Sequence, residues 1–497
     1  MARKFQNFID GKWVDAISGK TFENRNPAHW DEVIGTFPKS GKEDVEVAVR
    51  AARRAFEEWR LIPAPKRGDI LKKVGDLMVE RKEELAKQMT REMGKVLTET
   101  RGDVQEGIDT AYYAASEGRR LFGHTVPSEL PNKFNMAMRV PIGVAGIITP
   151  WNFPMAIPTW KIFPALVCGN TVVFKPASDT PATATALVEI LADAGVPAGV
   201  VNIVHGGGGE VGNAIVGHDE VDLISFTGST MVGKKISEMA SATLKRVSLE
   251  LGGKNAQMVM PDANMELALE GVLWGAFGTT GQRCTATSRL LLHEKIHDAF
   301  VATLVKRVEA LKVGDGLKDG VEVGPCVNES QQKTVQSYVD IGLQQGAKVA
   351  AGGMVPKGGD LDKGWFYRPT VFTGVQPDHR IAKEEIFGPV LSVIKFRTLE
   401  EGIRIMNDTI YGLSSSVYTN NINDAYTAIR DIKAGITYIN APTIGAEAHM
   451  PFGGVKQTGN GHREGGWTVY DFFSEWKTVY VDYSGGLQRA QIDNYES

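Results

Sequence analysis

From about residue 140 onward the chain alternates short apolar, β-rich runs with longer helical stretches, and this rhythm limits the fold more than any other feature. "GVAGIITP", "NTVVFKP", "TATALVEILADAG", "VVNIVHG", "LISFTGS" and "TMVGKKISEMAS" follow one another with turn residues between them. Strands alternating with helices need crossover connections, and hence a parallel, doubly wound α/β sheet. Such sheets bind ligands beyond the carboxyl ends of their strands. A second series begins near 255, with the strand "NAQMVM", the helix "NMELALEGVLWGAFGTT", the strand "SRLLLHE" and the helix "IHDAFVATLVKRVEAL". Later runs, "GWFYRPTVFTGV", "GPVLSVIKF" and "GITYIN", are again strand-like. Upstream, 42–120 carries long helical patterns, with Pro65 near a start and Gly94 at a stop.

At 497 residues the chain is too long for one simple core, so two or three domains are expected. A net charge of −4, with both signs interspersed, gives no basic footprint for nucleic acid or an acidic membrane. Cys168, Cys284 and Cys326 are far apart and show no CxxC spacing. That argues against a disulfide framework or a metal site and for a reducing, cytoplasmic setting. The start, "MARKFQNFIDGKWVDAISGK", has no apolar signal segment, and the most apolar run (140–174) is broken by prolines as no membrane helix would be.

Three stretches stand out chemically. In "GTTGQRCTATSR" Cys284 sits among small, flexible residues on the turn between a helix and a strand. It suits either a packed thiol or a nucleophile. "GGGGEVG" contains a formal GxGxxG at Gly207, Gly209 and Gly212, but no acidic residue follows at the spacing a dinucleotide fingerprint needs, so it reads as a plain turn. "SFTGSTMVGKKI" is a better nucleotide signal. Gly228 allows close backbone approach, Ser229 opens a helix whose N-terminus suits a pyrophosphate, and Gly233 lets that helix pack. Lys175 in "FKPAS" stands at a neighbouring strand end, where an ammonium can hold a ribose hydroxyl or a phosphate.

Taken together, "TPWNFP" (149–154), "FKPAS" (174–178), "FTGSTMVG" (226–233), "LELGGKN" (249–255), "GQRCTATSR" (281–289), "EEIFGPV" (384–390) and "PFGGVKQTGNGHRE" (451–464) resemble the aldehyde dehydrogenase superfamily in order and spacing over the whole chain. The resemblance implies an α/β fold with a Rossmann-like cofactor domain (1–122 and 142–253), an α/β catalytic domain (254–453) and a β-strand oligomerisation segment (123–141 and 467–497). It implies Cys284 as nucleophile, Glu250 as general base, Asn152 as oxyanion donor and Lys161 as an aid to proton handling. For the cofactor, NAD or NADP, it points to Thr149, Pro150, Trp151, Lys175, Ser178, Gly228, Ser229, Gly233, Leu251, Glu385 and Phe387. For the aldehyde it points to Arg283, Phe153, Trp160, Thr285, Ile444 and Glu447. A homodimer or homotetramer is expected, and the tail "GGLQRAQIDNYES" would extend past the last strand toward the substrate entrance.

Within the family the chain is similar to the antiquitin-like, semialdehyde branch, through "VQEGID", "FGTTGQRCTATSRLLLHEKIHD" and "PTIGAEAHMPFGGVKQTGNGHRE". It departs from that branch in having "TPWNFP" and "FKPAS", as general aldehyde dehydrogenases do. Arg283 suits a substrate carboxylate, which a guanidinium binds bidentately, or equally a buried glutamate of its own domain. Serine at 178 lacks the repulsion a glutamate would offer a 2′-phosphate. Glu250 argues for hydrolysis of the acyl group rather than its transfer to coenzyme A, and intact Cys284, Glu250 and Asn152 argue against a silent scaffold.

Overall fold

The computed structural model describes residues 3–493. Two seven-stranded sheets organise it. The first runs in the order Arg246–Glu250, Leu223–Thr227, Val144–Ile148, Thr171–Lys175, Val201–Ile203, Asn7–Ile9, Lys12–Val14. Its first five strands are parallel, and the last two join as an antiparallel hairpin. The second runs Lys348–Ala351, Thr370–Thr373, Val390–Phe396, Thr287–His293, Asn255–Val259, Ser414–Tyr418, Ile436–Ile439, parallel except for its first strand.

Both sheets are covered on both faces, which explains their near-continuous apolar strands. Along Val144–Ile148, Ala145 and Ile147 join one core, with Phe163 and Ile108 from covering helices, while Val144 and Ile148 join another with Val45 and Val49. Pro65 lies in the first turn of the helix Ala64–Glu80, and Gly94 (φ 93°) closes the helix Lys82–Met93. The single pattern read there is thus two helices, broken at Arg81.

One reading changes. In "GWFYRPTVFTGV" only Thr370–Thr373 joins a ladder, since Pro369 has no N–H to donate. Between Arg3 and Pro38, where the sequence carries no strong alternation, the chain forms five strands, of which Thr21–Asn26 and His29–Pro38 pair antiparallel. The C-terminal strand Ser474–Asp482 pairs antiparallel with Lys133–Pro141, which pairs in turn with His124–Pro127. Gln488 donates to the Pro131 carbonyl (2.8 Å), so the tail rests on that sheet as far as it is described. The expectation that the tail reaches the substrate entrance concerns in part residues 494–497, which lie outside the described residues. No helix among the described residues is long and apolar enough to cross a membrane.

Candidate active site

The nucleophile candidate is presented by an unusual turn. After the helix Met265–Phe277, Thr279 (φ 54°), Thr280 (φ 58°) and Gly281 (φ 67°) are all left-handed. For β-branched threonine this costs on the order of 1–3 kcal/mol per residue, so it persists only where the surroundings impose it. Those surroundings are explicit. The Thr279 N–H donates to both Glu99 carboxylate oxygens (2.8 and 2.9 Å), and the Thr280 hydroxyl donates to the Gly324 carbonyl (2.9 Å). At Gly281 a Cβ would lie 2.2 Å from the Gly388 carbonyl oxygen, so only glycine fits. Asn255 Nδ2 donates to the Cys284 carbonyl (2.7 Å) and holds the far side of the loop. The Cys284 thiol is pushed up to about 12 by burial and by Glu385 and Glu250, against the pull of the Thr285 and Cys284 N–H groups. At rest it is a thiol, and it needs a base.

Cys284 lies where two cavities meet. The first, about 240 Å³, is lined by Pro150, Trp151, Asn152, Thr227, Gly228, Ser229, Leu251, Gly252, Gln331, Glu385 and Phe387. Phe387 is left-handed (φ 57°) and meets the Trp151 ring edge-on at 5.4 Å. Gln331 Nε2 bonds the carbonyls of Ile386 and Phe387 (3.1 and 2.8 Å), fixing that wall. Glu385 accepts from the Gly253 N–H (2.9 Å), and burial pushes its carboxyl up to about 7. Ser229 caps the helix Thr230–Ser241 by accepting from Val232 N–H. Four residues expected at the cofactor stand outside this lining. Gly233 packs on Leu251, where a Cβ would come within 2.5 Å. The Thr149 N–H donates to the Lys175 carbonyl (3.2 Å) and the Ser178 hydroxyl to the Gly206 carbonyl (3.2 Å). The Lys175 ammonium is lowered to about 8 by burial, with Asp179 opposing. Gly228 and Ser229 line the cavity and the 206–212 glycine run does not.

The second cavity, about 410 Å³, is lined by Glu99, Asp103, Glu106, Phe153, Trp160, Glu250, Trp274, Arg283, Thr285, Ile444 and Phe452 among others. Trp160 and Phe452 pack at 4.9 Å. Arg283 lies 5.4 Å from the Phe153 ring and 5.0 Å from that of Trp274, with Nε on the Thr279 hydroxyl (2.9 Å) and Nη2 on Glu99 (3.3 Å). Its glutamate partner thus comes from the helix Leu97–Glu117, 184 positions earlier, and not from its own part of the chain. Glu106 is pushed up to about 8 by burial and by Asp103. Glu447 does not line this cavity; it is exposed and pairs with His449 (3.3 Å).

Glu250 is buried with neither carboxylate oxygen hydrogen-bonded, and burial, then Glu464, holds it well above its usual range. Asn152 donates Nδ2 to the Gln282 carbonyl (3.1 Å), which ties its loop to the cysteine turn. Lys161 lines neither cavity. Its Nζ, fully buried, bonds Glu464 (2.6 Å) and the Ser225 hydroxyl (2.9 Å), and both Lys161 and Glu464 act electrostatically on Glu250. Glu464 closes the motif "PFGGVKQTGNGHRE" but carries no signal of its own. Glu99, Trp274 and Gln331 belong to no local pattern, and only the fold brings them here; Glu106 lies in "VQEGID", a stretch that carries the resemblance but assigns it no role.

Such a site can hold a carbonyl compound covalently on sulfur while a second ligand lies against the same carbon. That defines the class: an oxidoreductase acting through a thiol adduct. The model of the aldehyde dehydrogenase family matches residues 13–479. The α-ketoglutarate semialdehyde dehydrogenase of Haloferax volcanii is 44% identical over 96% of this chain and 99% of its own length. The α-ketoglutaric semialdehyde dehydrogenase of Bacillus subtilis is 43% identical over 96% and 98%. The betaine aldehyde dehydrogenase of Staphylococcus aureus, solved with NAD+, superposes with a TM-score of 0.95 at 37% identity, covering 97% of this chain and 95% of that one. The chain belongs to the aldehyde dehydrogenase family. It is an enzyme that oxidises an aldehyde to the carboxylic acid with a nicotinamide cofactor, through cysteine-bound thiohemiacetal and thioester intermediates. The first cavity fits that cofactor: it carries a buried, unpartnered Thr227 hydroxyl, a carboxylate at Glu385, and a wall at Gly252 that a Cβ would close.

Proposed function

We propose that this enzyme oxidises a semialdehyde carrying a distal carboxylate, of the α-ketoglutarate semialdehyde type, to the dicarboxylic acid. The observation that carries the reading is the second cavity, which runs from Cys284 to the guanidinium of Arg283. Glu250, directly or through water, takes the Cys284 proton, and the thiolate adds to the aldehyde carbon. The oxyanion is met by Asn152 Nδ2 and the Cys284 N–H; losing one such donor typically costs about 100- to 1000-fold. The nicotinamide, when bound, accepts the hydride. Water, deprotonated by Glu250, then hydrolyses the thioester and frees the thiolate. The Lys161–Glu464 pair behind Glu250 carries the proton away.

Glu385 would hold the nicotinamide ribose, and Lys175 and Ser178, which stand outside the lining of the first cavity, would hold the adenosine ribose. Gly228 and Ser229 would meet the pyrophosphate, and Pro150, Trp151, Leu251 and Phe387 would wall the site, with Thr149 behind that wall and Gly233 seating its helix. Lys175 with Ser178 admits NADP as well as NAD. A homodimer or homotetramer forms through the Ser474–Asp482 sheet, which exposes Trp476, Tyr480 and Phe134. A reducing, cytoplasmic compartment keeps Cys284 a thiol.

One observation favours a second reading. Trp160, Trp274, Phe153 and Phe452 also suit a cationic aldehyde, beside Glu106, which becomes an anion above about 8. The test is a panel of α-ketoglutarate semialdehyde, betaine aldehyde and pentanal, each with NAD and NADP and with or without coenzyme A. The anionic substrate is expected to have the highest kcat/KM, with no gain from coenzyme A. A preference for betaine aldehyde would overturn the substrate assignment.

A further inference from the structure

We propose that Glu99 is a positioning residue of this active site, fixing the left-handed turn that presents Cys284. The inference rests on the reading of Cys284 as the nucleophile. Every acceptor position of the Glu99 carboxylate serves one loop: the Thr279 N–H on both oxygens (2.8 and 2.9 Å), the Thr279 hydroxyl (3.3 Å) and Arg283 Nη2 (3.3 Å). Its side chain is 3% exposed, so the carboxylate is shielded from solvent and these bonds are its partners.

One helical turn further along, Asp103 reaches the opposite wall of the site. Its Oδ1 accepts from the Ala156 N–H (2.7 Å), just beyond the Asn152 loop, and its Oδ2 pairs with buried Lys95 (2.7 Å). Positions i and i+4 share one helix face. A single face of Leu97–Glu117 therefore registers the cysteine turn against the oxyanion donor, and Asn152 Nδ2 on the Gln282 carbonyl closes the gap (3.1 Å). Glu99 touches neither the sulfur nor the cofactor cavity; it acts through Thr279. By also engaging Nε and Nη2 through Thr279 and itself, it leaves Arg283 one edge of its fork for a ligand.

The test compares Glu99→Ala, Glu99→Asp and Glu99→Gln in the full enzyme, reading kcat, both KM values, melting temperature and the rate at which iodoacetamide alkylates Cys284. Glutamine keeps an acceptor for the Thr279 N–H and should hold kcat within about 5-fold, since geometry rather than charge is conserved. Alanine should lower kcat about 100-fold, and aspartate, one methylene short, about 10-fold, with alkylation falling in parallel and cofactor KM unmoved. Glutamine should also lower the KM of α-ketoglutarate semialdehyde and leave that of pentanal unchanged. If alanine fails to fold, the aspartate and glutamine variants decide. Aspartate at wild-type kcat, or glutamine as impaired as aspartate, overturns the proposal. Cys284→Ala is run alongside: full activity there would overturn the nucleophile reading instead.

Discussion

The two cavities that meet at Cys284 are built differently. The side proposed for the cofactor is assembled mainly from short contiguous stretches, three of them just after strands that end at Ile148, Thr227 and Glu250, and Glu385, after the helix Arg380–Lys383, is the carboxylate on its wall. The side proposed for the aldehyde gathers side chains from distant places, mixing Glu99, Asp103, Glu106 and Arg283 with four large aromatic rings. One side offers backbone and space, as a cofactor common to many enzymes needs. The other offers charge and shape, which is where a substrate is chosen.

Substitution of Cys284, one of the residues that line both cavities, should stop the reaction that joins the two sides. Cys284→Ala is expected to lower aldehyde-dependent cofactor reduction by at least about 1000-fold, as loss of a catalytic nucleophile does. Cofactor binding, followed by quenching of tryptophan fluorescence, should remain. Glu250→Gln comes next and separates the steps. Steady-state turnover should fall about 100-fold, in the range for loss of a general base. Wherever water can still take the thiol proton, a first-turnover burst of reduced cofactor should survive. Equal loss of burst and turnover would place Glu250 before hydride transfer only.

The contrast between the cavities also explains which of their features are legible in the sequence. "FTGST" and "LELGG" were legible because a strand end and its turn put all their atoms in one place, and "EEIFG" because one short loop between the helix Arg380–Lys383 and the strand Val390–Phe396 does the same. The doubly wound sheets were legible for a related reason: strands buried on both faces must be apolar throughout. Glu99 was not legible, since nothing in "VLTETRGD" says that a helix in the first part of the chain will meet Thr279. The left-handed threonines were hidden too, because that conformation is imposed by Glu99 and not favoured by threonine itself. Glu447 shows the converse: it sits in a resembling stretch, yet its side chain points to solvent and His449.

Two smaller changes should each touch one side only. In Gly252→Ala the new Cβ would stand 2.2 Å from Glu385 Oε2, so that carboxylate must swing away. Cofactor KM should rise about 10-fold, roughly one lost charged hydrogen bond, with the KM of every aldehyde unmoved. Arg283→Met should do the reverse, raising the KM of α-ketoglutarate semialdehyde about 10-fold while sparing pentanal and the cofactor. An equal rise for pentanal would show that Arg283 shapes the cavity without reading charge.

The smallest expected effect is a pH dependence of opposite sign on the two sides. Glu385, at about 7, must be ionised to accept from ribose hydroxyls, so cofactor KM should rise as pH falls through 7. Glu106, at about 8, is neutral below that value and becomes an anion above it. A carboxylate-bearing aldehyde is then repelled, and its KM should rise as pH climbs through 8, while the KM of pentanal stays flat. Each change should be less than about 10-fold, because neither group is the sole contact of its ligand. Measuring both KM values between pH 6 and 9 checks the signs, and Glu106→Gln should flatten only the alkaline limb. Two limbs that moved together would mean that one group governs both cavities, and Cys284 would no longer mark the boundary between them.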